Sequence, residues 1–270
     1  MRATDSAFNL LDLFSGIGGF ARGAALARLR FRHHLFSEIN EHASQVYAKN
    51  FPQAEALGDI GTIDVAKIKR SRPGPWIVTG GFPCQDISTA GRGDGITGGR
   101  SSLWWQMHRV IGELRPAYAI IENVPALCSR GFERVLFSLA DLGYDAEWEV
   151  VSAASVGAPH VRKRVWIVAY PDVLRELGPL QLHARGGNMA DHHQPDRPHD
   201  RNLPWSAWPT VAAQGTIFGQ PCVARMDDGI SPWVDRIKAC GNAIVPQVVE
   251  GIFRRLACRQ PPTFSKIARD

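Results

Sequence analysis

With 270 residues, 44% of them apolar, the chain can bury a sizeable core as one large domain or as one large and one small domain. Its 31 Lys and Arg against 26 Asp and Glu give a net charge of +5, which favours a polyanionic partner. Five cysteines, an odd number without Cys-x-x-Cys spacing, argue against a disulfide scaffold and a metal site, and no signal peptide or apolar run of about 18 residues is present, so a soluble, cytoplasmic protein is expected.

In chain order, residues 10–14 read as a strand, Ser15-Gly16-Ile17-Gly18-Gly19 as a glycine turn, and 20–29 as a helix. This is a βα unit that cradles a nucleotide with backbone amides and a helix N-terminus. The dinucleotide fingerprint is not met, because Ala21 stands three residues after Gly18 where a third glycine would fall. Residues 35–37 form the next strand, and Glu38 follows it, 22 residues beyond Gly16, where an acid grips ribose hydroxyls in such folds. Asp59 is a further polar anchor for an adenine ring, so the ligand is an adenosine compound without a required pyrophosphate.

Residues 76–79 are an apolar, β-branched strand closed by Gly80 and Gly81, and Phe82-Pro83-Cys84-Gln85 follows. Cys84 stands where the strand opens into a polar, glycine-rich loop, 86–100, a lid-like segment rather than core. The plain alternative is a small buried cysteine. A helix at 101–114 comes next, then an apolar strand, 117–121, that ends in Glu122-Asn123-Val124-Pro125. A strand of that composition is buried on both faces, so Glu122 emerges at the same sheet edge as Cys84. In a partly dry site its pKa is raised, and a thiol beside a protonatable acid suits attack on a polarised ring or acyl carbon. A helix-capping or surface acid is the plain alternative for Glu122.

A helix at 132–142 and strands at 147–152 and 164–170 complete a mostly parallel, doubly wound α/β sheet over residues 1–170. Residues 171–235 differ in texture, with Pro171, Pro179, Pro195, Pro198, Pro204 and Pro209 and the histidines His183, His192, His193 and His199. They read as a small irregular domain whose histidines lack coherent metal-ligand spacing. Residues 236–270 return to the first domain through a helix at 245–259, with a frayed tail.

The motifs together resemble the DNA (cytosine-5)-methyltransferases of bacterial and phage type. The residues that carry the resemblance are Asp12 to Phe20, Gly81-Phe82-Pro83-Cys84-Gln85, Glu122-Asn123-Val124, Arg162-Lys163-Arg164 and Gly241-Asn242-Ala243-Ile244-Val245-Pro246, in the family's order over roughly residues 8–257. The resemblance implies a Rossmann-like S-adenosylmethionine-dependent methyltransferase sheet with a small target-recognition region at 171–235. It implies methyl transfer from S-adenosyl-L-methionine to carbon 5 of a flipped-out cytosine in double-stranded DNA. Cys84 is then the nucleophile at ring carbon 6 and Glu122 the acid at ring nitrogen 3. Arg162 contacts the cytosine carbonyl oxygen, Arg164 supports the catalytic loop, and Asn123 holds Glu122 and the Pro83 backbone. The two arginines favour the thiolate.

By the same resemblance Phe14, Ser15, Gly16, Ile17, Gly18 and Gly19 line the cofactor. Glu38 takes the ribose hydroxyls, Ile39 packs on adenine, Asp59 bonds its exocyclic amine and Ile60 flanks it. Pro83, Leu103, Asn242 and Ala243 close the pocket. Gln85, Ser88, Arg92 and Arg100 contact DNA from the loop, and Trp205, Trp208 and Arg225 contact it from the recognition region. No metal is implied, the chain acts as a monomer, and a cognate restriction endonuclease, where one exists, acts separately; an orphan or phage enzyme is the other setting. His160 departs from the pattern, standing where the family usually has glutamine. Three other readings remain open on the residues: an RNA cytosine-5 methyltransferase, a DNA-binding module without activity, and a nicotinamide-dependent oxidoreductase.

Overall fold

Alternate residues of the central strands face opposite sides of one sheet, and both sides are apolar, as a parallel sheet covered by helices requires. In the computed structural model, which describes residues 4–5, 8–83, 103–158, 160–172, 174 and 243–257, that sheet has seven strands. The chain runs β1 (Thr4–Asp5), β2 (Asn9–Leu13), α1 (Gly19–Leu26), β3 (Leu29–Arg30), β4 (His34–Ser37), α2 (Glu41–Asn50), β5 (Glu55–Ala56), α3 (Val65–Ser71) and β6 (Trp76–Gly80). It continues with α4 (Leu103–Leu114), β7 (Tyr118–Asn123), α5 (Phe132–Asp141), β8 (Tyr144–Ser152), β9 (Lys163–Pro171) and α6 (Pro246–Ala257). β1 and β3 form a separate two-stranded parallel ribbon.

The large sheet is ordered β5-β4-β2-β6-β7-β9-β8. Its first four pairings are parallel, whereas β9 lies antiparallel to both β7 and β8. Strand order reverses between β2 and β6, which are paired in register from Asn9↔Trp76 to Leu13↔Gly80. Ligands of doubly wound sheets collect at the carboxyl ends of strands beside such a switch point. The turn after β2 and the Gly81-Phe82-Pro83 segment after β6 therefore leave the sheet side by side.

The odd-numbered residues Leu11, Leu13, Ala119 and Ile121, with Val78, join one core cluster with Met107, Val110 and Ile111 of α4 and Val135 and Leu139 of α5. Leu10, Ile77, Ile120 and Val168 point the other way, against Phe20 and Ala24 of α1 and Val248, Val249, Ile252, Phe253 and Leu256 of α6. The α6 residues recur at helical spacing and form one apolar stripe. α1 and α6 approach closely because Gly23 has no side chain: a Cβ there would lie 2.4 Å from Val249 Cβ and 2.7 Å from the Pro246 carbonyl oxygen.

The sequence expectations for the strands and helices hold with shifted ends. The first strand starts at Asn9 and stops at Leu13, because Phe14 takes a positive φ of 50° that no strand accommodates. The first helix stops at Leu26 rather than residue 29, and Leu29 and Arg30 pair with the N-terminal ribbon instead. Helices α2 and α3, which sequence periodicity did not announce, are started by Asn40 and Asp64, whose side chains accept hydrogen bonds from the Ala43 and Lys67 amides.

Candidate active site

β7 is buried along its whole length and delivers Glu122 and Asn123 at its carboxyl end. β9, antiparallel beside it, brings Arg164 to the same edge: Arg164 Nε lies 2.8 Å from Glu122 Oε1. Glu122 is only 9% exposed. Burial pushes its carboxyl above the usual range, while Arg164, then Arg162, and the hydrogen bond from Arg164 pull the other way. The arginines hold the carboxylate in place; desolvation keeps a proton within its reach.

The neighbouring strand makes room for this carboxylate. A Cβ on Gly81 would stand 2.8 Å from Glu122 Oε2, so the glycine after β6 is what admits Glu122 to the sheet edge. Asn123 Nδ2 donates to the Phe82 carbonyl oxygen at 3.1 Å, while its Oδ1 accepts from the Val124 amide at 2.8 Å. The amide thus grips the Phe82–Pro83 peptide one residue before the position expected from sequence. Arg164, expected to support the loop, makes its ion pair with Glu122 itself. Cys84, Gln85, Ser88, Arg92, Arg100, Asn242, Arg225, Trp205 and Trp208 lie outside the described residues.

Arg162, His160 and Arg164 line one side of a cleft of about 590 Å3, and Ala243, Ile244, Val245 and Pro246 line the other. The segment before α6 is held there because a Cβ on Gly19 would come within 2.7 Å of Ile244 Cβ.

The turn after β2 is organised by Glu38. Its Oε2 accepts from the Gly16 amide at 2.8 Å and its Oε1 from the Asn40 amide at 2.8 Å. One carboxylate therefore ties the turn to the start of α2. A Cβ at Gly16, whose φ is +53°, would meet nothing within 4 Å, so this glycine faces open space. Gly18 and Gly19 are occupied differently, packed against Phe51 and Tyr47 and against Ile244. The Ser15 hydroxyl is buried without a hydrogen-bond partner among the described residues, and Ile39 presents an apolar side chain that is 80% exposed. An unpartnered buried hydroxyl, an open glycine and an exposed apolar side chain around one carboxylate fit an adenosine-bearing ligand.

Other expected pocket residues lie as follows. Asp59 is exposed and accepts from the Gly61 amide at 2.8 Å. Ile60 turns its side chain into the core. Pro83 and Leu103 are exposed. Two features escaped sequence reading. Arg109 on α4 donates to the Ile60 carbonyl at 2.9 Å and to the Ile63 carbonyl at 3.3 Å, fixing the segment after Asp59. Asp12 is wholly buried and is bonded by Thr79 and Tyr47. Asp12 is marked in the sequence as a polar residue inside an apolar strand, whereas nothing local marks Arg109. Among the described residues, no cluster of three His, Cys, Asp or Glu side chains suits a metal, and no helix is long and apolar enough to cross a membrane.

A doubly wound sheet whose last strand is reversed, with a glycine turn at its switch point, defines a Rossmann-like fold of the methyltransferase type. The crystal structure of a prophage-encoded E. coli protein described as a DNA modification methyltransferase superposes with a TM-score of 0.52 at 29% identity, covering 62% of this chain and 48% of that one. Type II methyltransferase M.NgoBI of Neisseria gonorrhoeae is 34% identical over 169 residues, 61% of this chain and 51% of the relative. Type II methyltransferase M1.ScrFI of Lactococcus lactis subsp. cremoris is 34% identical over 196 residues, 68% and 49% of the two chains. The chain spans about half the length of these curated relatives. The model of the C-5 cytosine-specific DNA methylases matches residues 8–199, and the chain belongs to that family.

Proposed function

We propose that this protein is a DNA (cytosine-5)-methyltransferase acting on double-stranded DNA through a covalent Cys84 adduct. The observation that carries the reading is the Glu122 carboxylate, buried at a sheet edge beside Arg162 and Arg164 and packed on Gly81, three residues before Cys84. S-adenosyl-L-methionine, when bound, supplies the methyl group that carbon 5 accepts.

The remaining chemistry belongs to the chain. Carbon 5 of cytosine is a poor nucleophile until its ring is activated. The Cys84 thiolate forms a bond to ring carbon 6, and Glu122 gives or shares its proton at ring nitrogen 3, so electron density gathers on carbon 5. Once carbon 5 carries the methyl group, its proton leaves to a base. The bond to Cys84 then breaks, restoring the ring double bond and the thiolate, and ring nitrogen 3 returns its proton to Glu122. Arg162 contacts the cytosine carbonyl oxygen, and Arg164 holds the Glu122 carboxyl in its working orientation. Asn123 fixes the peptide before Pro83 and so the approach of Cys84. These ring atoms are unreachable inside a duplex, so the base is rotated out of the stack.

Ser15, Gly16, Glu38 and Ile39 hold the cofactor, Glu38 through its ribose hydroxyls and Ile39 against adenine. Residues 171–235 read the target sequence, and the enzyme works as a monomer beside, where present, an independent endonuclease. The test is tritiated methyl transfer from S-adenosylmethionine to mixed-sequence duplex DNA, with tRNA in parallel and bisulfite sequencing of the product. Methyl groups on a recurring cytosine context in DNA, lost in Cys84→Ser, are expected. Incorporation into tRNA alone, or unchanged turnover by Cys84→Ser, overturns the reading.

A further inference from the structure

Asp12 has no exposed surface, yet it stands in the last turnable stretch of β2, two residues before Phe14 leaves the strand with a positive φ. Each of its oxygens has one donor. Thr79 Oγ1, its in-register neighbour on β6, donates to Oδ1 at 2.7 Å, and Tyr47 Oη on α2 donates to Oδ2 at 3.0 Å. With Asp12 ionised, the Tyr47 proton is committed to its carboxylate, and the His34 Nε2 atom 2.8 Å from the same hydroxyl is then the donor to it. Burial lowers the His34 pKa to about 4, so the ring is neutral and carries its proton on Nε2. A directed chain of hydrogen bonds therefore runs from His34 through Tyr47 to Asp12.

The Tyr47 ring has a second contact that leads to the glycine turn. It stacks on Phe36 with ring centres 4.0 Å apart. Its other neighbours include Phe51 and Gly18, where a Cβ would meet Phe51 Cε2 at 2.8 Å and Tyr47 Cδ2 at 3.2 Å. Gly18, the N-cap of α1, thus rests on the two aromatic rings that also enclose His34. One side chain touches both ends of the turn: its hydroxyl fixes the strand that enters it, and its ring supports the residue that leaves it.

We propose that Tyr47 is a positioning residue for the cofactor site, holding the Phe14–Gly18 turn in its binding shape through the His34–Tyr47–Asp12 chain and the Gly18 contact. The inference rests on reading that turn as the S-adenosylmethionine site. Tyr47 touches no reacting atom, so its removal should weaken cofactor binding and spare the chemical step.

The experiment measures S-adenosylhomocysteine affinity by calorimetry and kcat at saturating cofactor for the wild type, Tyr47→Phe, His34→Leu, His34→Gln and the Tyr47→Phe/His34→Leu double variant. Tyr47→Phe and His34→Leu should each weaken binding by about tenfold while kcat stays within about twofold, and Gln, which can still donate to the Tyr47 hydroxyl, should restore affinity at position 34. The double variant should bind no worse than Tyr47→Phe, because His34 reaches Asp12 only through that hydroxyl. In the cofactor-free Tyr47→Phe protein, the Gly16 and Gly18 amides should exchange hydrogen faster than in the wild type. If Tyr47→Phe does not fold, the Leu and Gln variants at position 34 decide alone. Variants that bind like a binding-competent wild type, or additive losses in the double variant, overturn the inference. Absence of binding by the wild type overturns the cofactor assignment and this inference with it.

Discussion

Gly81 and Glu122 share one small volume at the sheet edge: the position of a Cβ on Gly81 lies 2.8 Å from Glu122 Oε2. Gly81→Ala must therefore displace the carboxylate or the backbone just beyond the last β6–β7 pair, Gly80↔Ile121. We expect methyl transfer to fall by about a hundredfold or more, with S-adenosylhomocysteine affinity unchanged, because misplacing the proposed catalytic acid by a fraction of an ångström is costly while the turn proposed to hold the cofactor is untouched. Single-turnover kinetics and calorimetry on the same preparation check both halves.

Arg164 opposes the effect of burial on Glu122. Arg164→Met removes that opposition, so the Glu122 pKa should rise further. A group that works protonated then stays competent to higher pH: the overall rate falls, but the alkaline limb of the kcat profile moves upward. A downward shift of that limb would show that Glu122 is needed as the anion.

Two glycines separate binding from folding. Gly16→Ala places a Cβ in open space but in a left-handed conformation, with an expected cost of about 1–2 kcal/mol and weakened cofactor binding. Gly23→Ala drives a Cβ into Val249 and the Pro246 carbonyl, with an expected loss of about 1–3 kcal/mol of stability. Denaturant melts with and without S-adenosylhomocysteine distinguish them: ligand should rescue Gly23→Ala more fully than Gly16→Ala.

The buried chain makes stability respond to pH in two opposed ways. Burial raises the Asp12 pKa from 3.8 to about 7, and the Thr79 and Tyr47 hydrogen bonds offset it only in part. Its contribution is therefore full below about pH 3.8 and is lost as pH rises through about 7. His34 is shifted from 6.5 down to about 4, so its contribution is present above about 6.5 and lost as pH falls through about 4. Between about 4 and 6.5 the two slopes oppose each other. Relative to the wild type, Asp12→Asn should lose stability more steeply as pH falls through this window, and His34→Gln should lose it more steeply as pH rises. Urea unfolding at a series of pH values measures both slopes.

Much of the sheet was legible in the sequence because its central strands are buried on both faces and read as unbroken apolar runs, as in residues 117–121. The positions of Glu122 and the glycine turn followed from where those runs stop. What stayed hidden depends on contacts across long sequence distances. Nothing local announces that Gly81 is small on account of Glu122, or that Arg109 caps a turn more than 40 residues earlier. Asp12 looked like one polar letter in an apolar strand; its role needs Tyr47, 35 residues away, and Thr79, 67 away. Helix α2 was missed because its outward face is polar and only Ala43 and Tyr47 are buried.

Leu174 and the apolar face of α6 belong to the same core cluster, although residues 175–242 separate them in the chain. Both ends of that stretch are thus moored in one folding unit. For a chain segment closed at both ends, added length costs only about 0.6 kcal/mol for each doubling. The stretch proposed to choose the DNA site can therefore be exchanged, shortened or extended while the sheet that carries Glu122 folds as before.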